Sequence, residues 1–212
     1  MSPPDAVEPI VYVVDDDEAM RSSLKWLIES VGMRVEAYGS ADEFLGCYYP
    51  ARAGCLLLDV RMPGMSGLDL QEHLAARHSQ LPVIIITGHG DVPMAVRAMK
   101  AGAVDFIEKP FNDESLLDAI RHALAVSFEQ RSLQSRQAEV ATRLALLTPR
   151  EHEVMEMVAE GKSNKEIANA LGVSAKTVEA HRARVMEKMQ AHSLAELVRM
   201  VLTANLVDEP EH

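Results

Sequence analysis

Residues 82–111 read PVIIITGHGDVPMAVRAMKAGAVDFIEKPF, a stretch that predicts two strands separated by one helix. The apolar, β-rich runs Val83–Thr87 and Val104–Glu108 have the length and composition of buried strands. Between them, Val92–Ala101 has a helical period, and Asp91 can cap its N-terminus. A helical crossover between two strands is the connection that parallel strands need, so this stretch predicts part of a parallel sheet.

The same alternation of strand and helix extends toward the N-terminus of the chain. The further predicted strands are Ile10–Val14, Val35–Tyr38 and Cys55–Val60, and the further predicted helices are Ala19–Val31, Ala41–Tyr48, Ser66–Arg77 and Asn112–Val126. Five strands with nearly continuous apolar sequence indicate a buried parallel sheet with helices on both faces.

A different pattern begins after residue 126. Residues 127–145 are polar and contain neither glycine nor proline, which predicts a helical or partly helical linker. Only helical patterns follow, and they cover 149–160, 164–171, 175–189 and 193–204. The sequence thus predicts an α/β domain, a linker and an all-α domain, with the boundaries 8–126, 127–145 and 146–206.

The formal net charge of −11 at first argues against nucleic-acid binding. The charge is uneven, however: residues 1–125 carry 10 Lys or Arg and 19 Asp or Glu, whereas residues 148–206 carry 8 of each. A neutral domain can bind DNA if its basic side chains share one face. The two cysteines lack disulfide or metal-site spacing, and we find no signal-peptide layout or long apolar run. We therefore expect a cytoplasmic protein without a membrane-spanning segment.

Polar side chains follow four of the predicted strands, at the sheet edge where open parallel sheets bind ligands. The first strand is followed by Asp15–Asp17, the third carries Asp59, the fourth ends in Thr87 and the fifth is followed by Lys109. Alone, Asp15–Asp17 is common in a turn, Thr87 as a cap and Lys109 in a surface turn. Asp59 differs, because a carboxylate at the rim of a buried strand needs a partner. Together, carboxylates from two strands suit Mg²⁺, and a carboxylate beside Mg²⁺, an ammonium and a hydroxyl can accept a phosphoryl group.

Residues 8–126 resemble the receiver domain of response regulators. The matching segments are VYVVDDDEAMRSSL at 11–24, LLLDVRMPGMSGLDL at 56–70 and the stretch 82–111, which is especially similar to the FixJ branch. The resemblance implies an α/β flavodoxin-like fold with a five-stranded parallel sheet of order 2-1-3-4-5.

The resemblance also implies roles for individual residues. Asp59 is the expected phosphoacceptor, and the expected ligands of Mg²⁺ (or Mn²⁺) are Asp15, Asp16, Asp59 and the backbone carbonyl of Arg61. Lys109 is expected to bind the phosphoryl oxygens, with a cis bond between Lys109 and Pro110. Thr87 and Phe106 match the switch pair of receivers, whereas Asp17 receives no role.

Residues 164–189 predict two helices joined by a glycine-containing turn. Gly172 suits the end of the first helix, and Ser174 can cap the second. Basic side chains on the second helix, at Lys176, Arg182, Arg184 and Lys188, suit docking into the major groove. An ordinary helical hairpin with a solvated charged face would, however, have the same pattern.

Residues 146–206 resemble the LuxR-type helix-turn-helix domain, through LTPREHEVMEMVAEG, SNKEIA and VSAKTVEAHRARVMEKM. With the receiver, this makes the chain similar to two-component response regulators of the NarL/FixJ family. The resemblance implies a four-helix domain with a recognition helix at about 175–189, and a last helix at 193–204 that helps dimerisation. We expect Glu179, Ala180 and Ala183 to face bases. Phosphates or nearby base edges are expected to be contacted by Asn164, Lys165, Lys176, Thr177, His181, Arg182, Arg184 and Lys188.

The expected function is therefore transcription regulation controlled by phosphorylation, without metabolic enzyme activity. The only chemistry would be acceptance of the phosphoryl group and its slow hydrolysis. The implied partners are a sensor histidine kinase, double-stranded DNA and RNA polymerase. A second copy is expected to bind on phosphorylation, through the face formed by 92–101 and 104–108.

Two alternative functions are weighed against this one. A Mg²⁺-dependent aspartyl-phosphate phosphatase also uses an aspartate nucleophile, but such enzymes typically carry Asp-x-Asp, and here Asp59 is followed by Val60 and Arg61. A constitutive DNA-binding protein with an inert receiver is disfavoured because the expected phosphorylation-site residues are all present.

Overall fold

The computed structural model describes residues 8–88 and 90–205, with side chains to residue 203. The chain divides into two compact units, Met1–Arg131 and Ser132–His212. Residue 206, the predicted end of the second domain, lies outside the described residues. Among the described residues, no helix is both long and apolar enough to span a membrane.

The first unit contains the predicted alternation of strands and helices. Its strands are β1 (Ile10–Val14), β2 (Arg34–Tyr38), β3 (Gly54–Asp59), β4 (Val83–Thr87) and β5 (Asp105–Glu108). Its helices are α1 (Glu18–Ser30), α2 (Ala41–Cys47), α3 (Gly67–Ala76), α4 (Val92–Lys100) and the beginning of α5 (Asp113–Leu144). The predicted bounds of the first nine elements are within one residue of the observed ones.

Helix α5 differs from its prediction because it does not stop near residue 126. It continues to Leu144 and includes nearly all of the predicted linker. No glycine or proline interrupts 113–144, so no residue in this segment opposes helix continuation.

The five strands form one sheet in the order β2-β1-β3-β4-β5, and all neighbouring strands are parallel. This confirms the predicted order. Because successive side chains of a strand point to opposite faces, each strand contributes to two cores. One core includes Leu24 and Ile28 of α1 with Leu116 and Ile120 of α5; the other includes side chains of α2, α3 and α4, namely Phe44, Leu70, Leu74 and Ala98.

The second unit contains α6 (Pro149–Ala159), α7 (Asn164–Leu171), α8 (Ala175–Met189) and α9 (Leu194–Asn205), together with the end of α5. Its core is formed by apolar side chains that include Val140, Val154, Val158, Ile167, Val178, Val185 and Leu197. Gly172 adopts φ 66° at the end of α7, as expected for a residue that must enter the left-handed region. The turn between α7 and α8 is therefore the predicted one.

Candidate functional site

The predicted acidic site lies at the sheet edge where β1, β3 and β5 end. Asp15 directly follows β1, Asp59 is the last residue of β3, and Lys109 directly follows β5. Lys109 Nζ donates to Asp15 Oδ2 at 2.7 Å and to Asp59 Oδ1 at 2.8 Å. The structure thus brings together side chains that lie 94 and 50 residues from Lys109 in the sequence.

The cluster combines buried carboxyl groups with one ammonium. Asp15 is 3% exposed and Asp59 is 7% exposed. Burial raises the pKa of the Asp59 carboxyl, against the lowering effect of the hydrogen bonds from Lys109 and from the Arg61 N–H. Burial alone would lower the pKa of Lys109, but its hydrogen bonds to Asp15 and Asp59 outweigh burial and raise it. Lys109 is therefore protonated at neutral pH, and one ammonium faces two carboxyl groups.

Backbone N–H groups orient both carboxylates. Arg61 N–H donates to Asp59 Oδ2 at 2.7 Å, and Asp17 N–H donates to Asp15 Oδ1 at 2.9 Å. Each oxygen of the two carboxylates therefore has one donor and keeps further accepting capacity. Free carboxylate lone pairs and a deficit of positive charge are the chemistry that a hard divalent cation such as Mg²⁺ prefers, and Asp15 and Asp59 supply it.

The predicted metal ligands are only partly brought together. Asp15 and Asp59 share Lys109, whereas the Asp16 side chain is exposed. Within residues 8–88 and 90–205, no three His, Cys, Asp or Glu side chains are grouped in a way that could hold a metal ion. The ligand roles of these aspartates and of the Arg61 carbonyl therefore stay predictions.

Thr87 lies in β4, between the strand that ends at Asp59 and the strand that precedes Lys109, and Phe106 lies in β5. Thr87 is buried at the end of β4, and its carbonyl accepts a hydrogen bond of 2.8 Å from the Lys109 N–H. Phe106 is half-buried in β5, where it pairs in register with Ile85. The Lys109–Pro110 bond is cis, as predicted. A switch role for Thr87 and Phe106 stays a prediction.

Two residues that received no role in the sequence analysis support this site. Asp17 is the N-cap of α1, and its carboxylate accepts a 2.9 Å hydrogen bond from the Ala19 N–H. The signal was available, because an aspartate just before a helix favours capping. At Gly67, a Cβ would collide with the Asp59 carbonyl oxygen. Only a glycine lets α3 begin this close to β3, and this contact had no signal in the sequence.

Helix α8 presents most of the predicted DNA contacts on one exposed face. Val178, Val185 and Met189 are buried against the rest of the unit. The exposed predicted residues of α8 are Lys176, Thr177, Glu179, Ala180, Ala183 and Arg184, and Lys165 of α7 is exposed as well. His181 is half-buried. This arrangement leaves a mixed polar and basic face available to a ligand.

Asn164 and Arg182, two further predicted DNA contacts, are bonded to each other. Arg182 Nη1 donates to Asn164 Oδ1 at 2.9 Å, and both side chains are half-buried. This bond joins α8 to the first residue of α7. Both residues therefore hold the two helices of the motif together, and a contact of either with DNA stays a prediction.

Lys188, a further predicted DNA contact, forms hydrogen bonds inside the protein. Its ammonium donates to Glu151 Oε2 at 2.6 Å and to the Leu146 carbonyl at 3.0 Å. Glu151 is buried, and the hydrogen bonds from Lys188 and Thr148 lower its pKa to about 2. A buried carboxylate needs such a partner. Lys188 therefore stabilises the second unit, and a contact of Lys188 with DNA phosphate stays a prediction.

Two family models match the chain. The model described as "Response regulator receiver domain" matches residues 11–121, and the one described as "Bacterial regulatory proteins, luxR family" matches residues 145–201.

Similar proteins match almost end to end. The transcriptional regulatory protein FixJ of Azorhizobium caulinodans is 50% identical, over 92% of this chain and 93% of that protein. Nodulation protein W of Bradyrhizobium diazoefficiens is 49% identical, over 95% of this chain and 88% of that protein. The solved structure of the response regulator StyR is 45% identical with a TM-score of 0.84, and the match covers 92% of this chain and 99% of that one.

Proposed function

Because the chain belongs to the response regulators that join a receiver domain to a LuxR-type DNA-binding domain, and is a FixJ-like transcriptional regulatory protein, we propose how phosphorylation controls it. Asp59 accepts a phosphoryl group from a sensor histidine kinase, the phosphorylated receiver dimerises, and the dimer binds specific double-stranded DNA. The observation that carries this proposal is the bridge from Lys109 to both Asp15 and Asp59.

The bridge suits phosphoryl transfer for a simple electrostatic reason. A carboxylate oxygen of Asp59 forms the new bond to phosphorus while the phosphorus–nitrogen bond to the kinase histidine breaks, so Asp59 becomes an acyl phosphate. The phosphoryl oxygens keep their negative charge during this step. The Lys109 ammonium, only 2.8 Å from Asp59, is placed to offset that charge. The chain itself would then catalyse nothing beyond slow hydrolysis of its own acyl phosphate.

The site is also proposed to hold Mg²⁺ or Mn²⁺. The ligands would be Asp15, Asp16, Asp59 and the Arg61 carbonyl. When bound, such an ion neutralises charge on the phosphoryl oxygens. The support is the excess of carboxyl groups over ammonium groups and the accepting capacity left on Asp15 and Asp59.

Dimerisation is proposed to use the face formed by α4 and β5. Helix α4 exposes three large apolar side chains there: Val92, Val96 and Met99. Thr87 ends β4, the strand before α4, and Phe106 lies in β5, the strand after it. These two residues could therefore transmit a change at Asp59 to α4. A two-fold dimer would bury the same patch on both subunits.

Val96→Glu is expected to prevent phosphorylation-dependent dimerisation. A glutamate here would be buried without a partner in the dimer, and we expect at least a tenfold weaker dimer, since burying an unpaired polar group costs about 1–3 kcal/mol or more. Light scattering with and without acetyl phosphate measures this. Val31→Glu, at an exposed valine directly after α1, is the matched control and should dimerise normally. Normal dimerisation of Val96→Glu would contradict the choice of face.

The exposed face of α8 is proposed to read DNA in the major groove. Glu179, Ala180 and Ala183 would face bases, and Glu179 can accept from cytosine N4. The residues proposed to contact phosphates or nearby base edges are Lys165, Lys176, Thr177, His181, Arg184 and Lys188, with Asn164 and Arg182 at the junction of the two helices.

Glu179→Ala and Arg184→Ala are expected to change DNA binding in different ways. Glu179→Ala should relax base preference at one position, at a cost of about 1–3 kcal/mol for the preferred base. Arg184→Ala should weaken binding to every sequence. It should also lower the slope of log affinity against log salt concentration by about one unit, the loss of one phosphate contact. The measurement compares a preferred duplex with single-base variants at several salt concentrations. An equal change for every sequence in both variants would show that Glu179 does not read bases.

The partner in transcription and the domain boundaries are also proposed from the resemblance to this family. RNA polymerase is the expected partner in transcription. We keep 8–126, 127–145 and 146–206 as the proposed boundaries of receiver, linker and DNA-binding domain.

A further inference from the structure

The C-terminal end of the recognition helix α8 receives a cap from another helix. The last carbonyls of any helix lack partners within it. In α8, the Met186 and Glu187 carbonyls accept from the N–H groups of Ala191 and Gln190, at 2.9 and 3.0 Å. The Met189 carbonyl instead accepts a 3.1 Å hydrogen bond from Arg143 Nη1, which belongs to α5.

Arg143 is held in place for this contact. Only 17% of its side chain is exposed, and its Nη2 donates to Glu139 one turn earlier at 2.6 Å. Val140 is 6% exposed in the core of the second unit, and Leu144 packs against the same core. The last turns of α5 are therefore part of the structure that supports α8.

The electrostatics favour the same contact. The C-terminus of a helix carries partial negative charge, so a guanidinium there is stabilising. Lys188 adds a second link, because its ammonium donates to the Leu146 carbonyl just beyond α5. The end of α8 is thus joined to the end of α5 by two charged hydrogen bonds.

We propose that Arg143 is a positioning residue for base recognition, which fixes the direction of α8 by capping its C-terminus from α5. This inference rests on the proposed function, in which α8 reads bases. A helix of 15 residues is about 22 Å long. A tilt of about 10° about its C-terminus would move its N-terminal end by about 4 Å, which is more than hydrogen bonds to base edges tolerate.

The experiment measures specific and nonspecific DNA binding of the full-length chain. The specific probe is a duplex enriched from a random library with the phosphorylated wild-type chain, and the nonspecific probe is a random-sequence duplex of equal length. Arg143→Ala is compared with Arg136→Ala, which removes the same charge from an exposed position of the same helix. Arg143→Lys keeps the charge but has one ammonium in place of the two Nη groups that donate to Met189 and Glu139.

Arg143→Ala is expected to lose about tenfold in affinity for the selected duplex, the equivalent of about one base contact. Its affinity for the random duplex should fall no more than that of Arg136→Ala, because nonspecific binding depends on charge. Arg143→Lys should recover part of the specific affinity. Circular dichroism shows whether Arg143→Ala is folded. If it is not, Arg143→Lys takes its place in the comparison. Its expected result is a loss of affinity for the selected duplex only.

Equal losses on both duplexes, for Arg143→Ala or for Arg143→Lys in its place, would overturn the positioning role while leaving the proposed function intact. Failure of the phosphorylated wild-type chain to enrich any duplex would overturn both, because it denies sequence-specific binding itself.

Discussion

Replacing Asp59 by asparagine is expected to abolish phosphorylation of the chain by acetyl phosphate. Asparagine has nearly the same shape, and its carbonyl can still accept one of the hydrogen bonds from Lys109 and Arg61. It has no anionic oxygen to attack phosphorus, so the fold should survive while the reaction is lost. Intact-mass spectrometry after incubation with acetyl phosphate and Mg²⁺ measures the effect.

Two controls make this result specific to the site. Asp42→Asn changes an exposed aspartate at the start of α2 and should be labelled like the wild type. Chelation of divalent cations should stop labelling of the wild type, and Asp16→Asn should weaken Mg²⁺ binding measured by calorimetry. Undiminished labelling of Asp59→Asn would mean that another residue is the phosphoacceptor.

Lys188→Met is expected to destabilise the second unit more than a single substitution of any other polar residue of α8. Lys188 is the cation beside buried Glu151, at 2.6 Å. Its removal leaves that carboxylate with the Thr148 N–H and no positive charge. Hydrogen bonds to charged groups contribute about 1.5–3 kcal/mol, and because Lys188 is one-third exposed, we expect a loss of about 2 kcal/mol.

Urea unfolding of the full chain can assign this loss to the second unit. The single tryptophan, Trp26, lies in α1 and reports on the first unit, whereas circular dichroism reports on the helices of both. Lys188→Met should shift the circular dichroism transition and leave the fluorescence midpoint unchanged. Arg184→Met, an exposed cation on the same helix, should shift neither.

The pH dependence gives a further test of the same pair. Since the pKa of Glu151 falls from 4.5 to about 2 on folding, its ionised form stabilises the protein above pH 4.5. That stabilisation is lost as the pH falls from 4.5 toward 2. The difference between wild type and Lys188→Met should shrink over this interval. Normal stability of Lys188→Met would contradict the structural role, and weaker binding of this variant to every DNA sequence would support a phosphate contact.

The sequence by itself determined the sheet and the chemistry of its edge. Strands buried on both faces must be apolar throughout, so the runs at Ile10–Val14 and Val83–Thr87 were predicted at their observed bounds. The polar residues that follow such runs can only stand at the strand ends. This is why Asp15, Asp59 and Lys109 were predicted to meet at one edge.

Only the tertiary structure decided which polar groups on the helices are already engaged. Helical periodicity predicts that Arg184 and Lys188 lie on neighbouring turns, but it does not distinguish a ligand-facing side from one that faces another helix. Arg184 is exposed, whereas Lys188 reaches Glu151, 37 residues away, and Arg143 reaches the Met189 carbonyl, 46 residues away. Such pairs depend on how helices pack after folding, and local sequence patterns carry no information about partners at that separation.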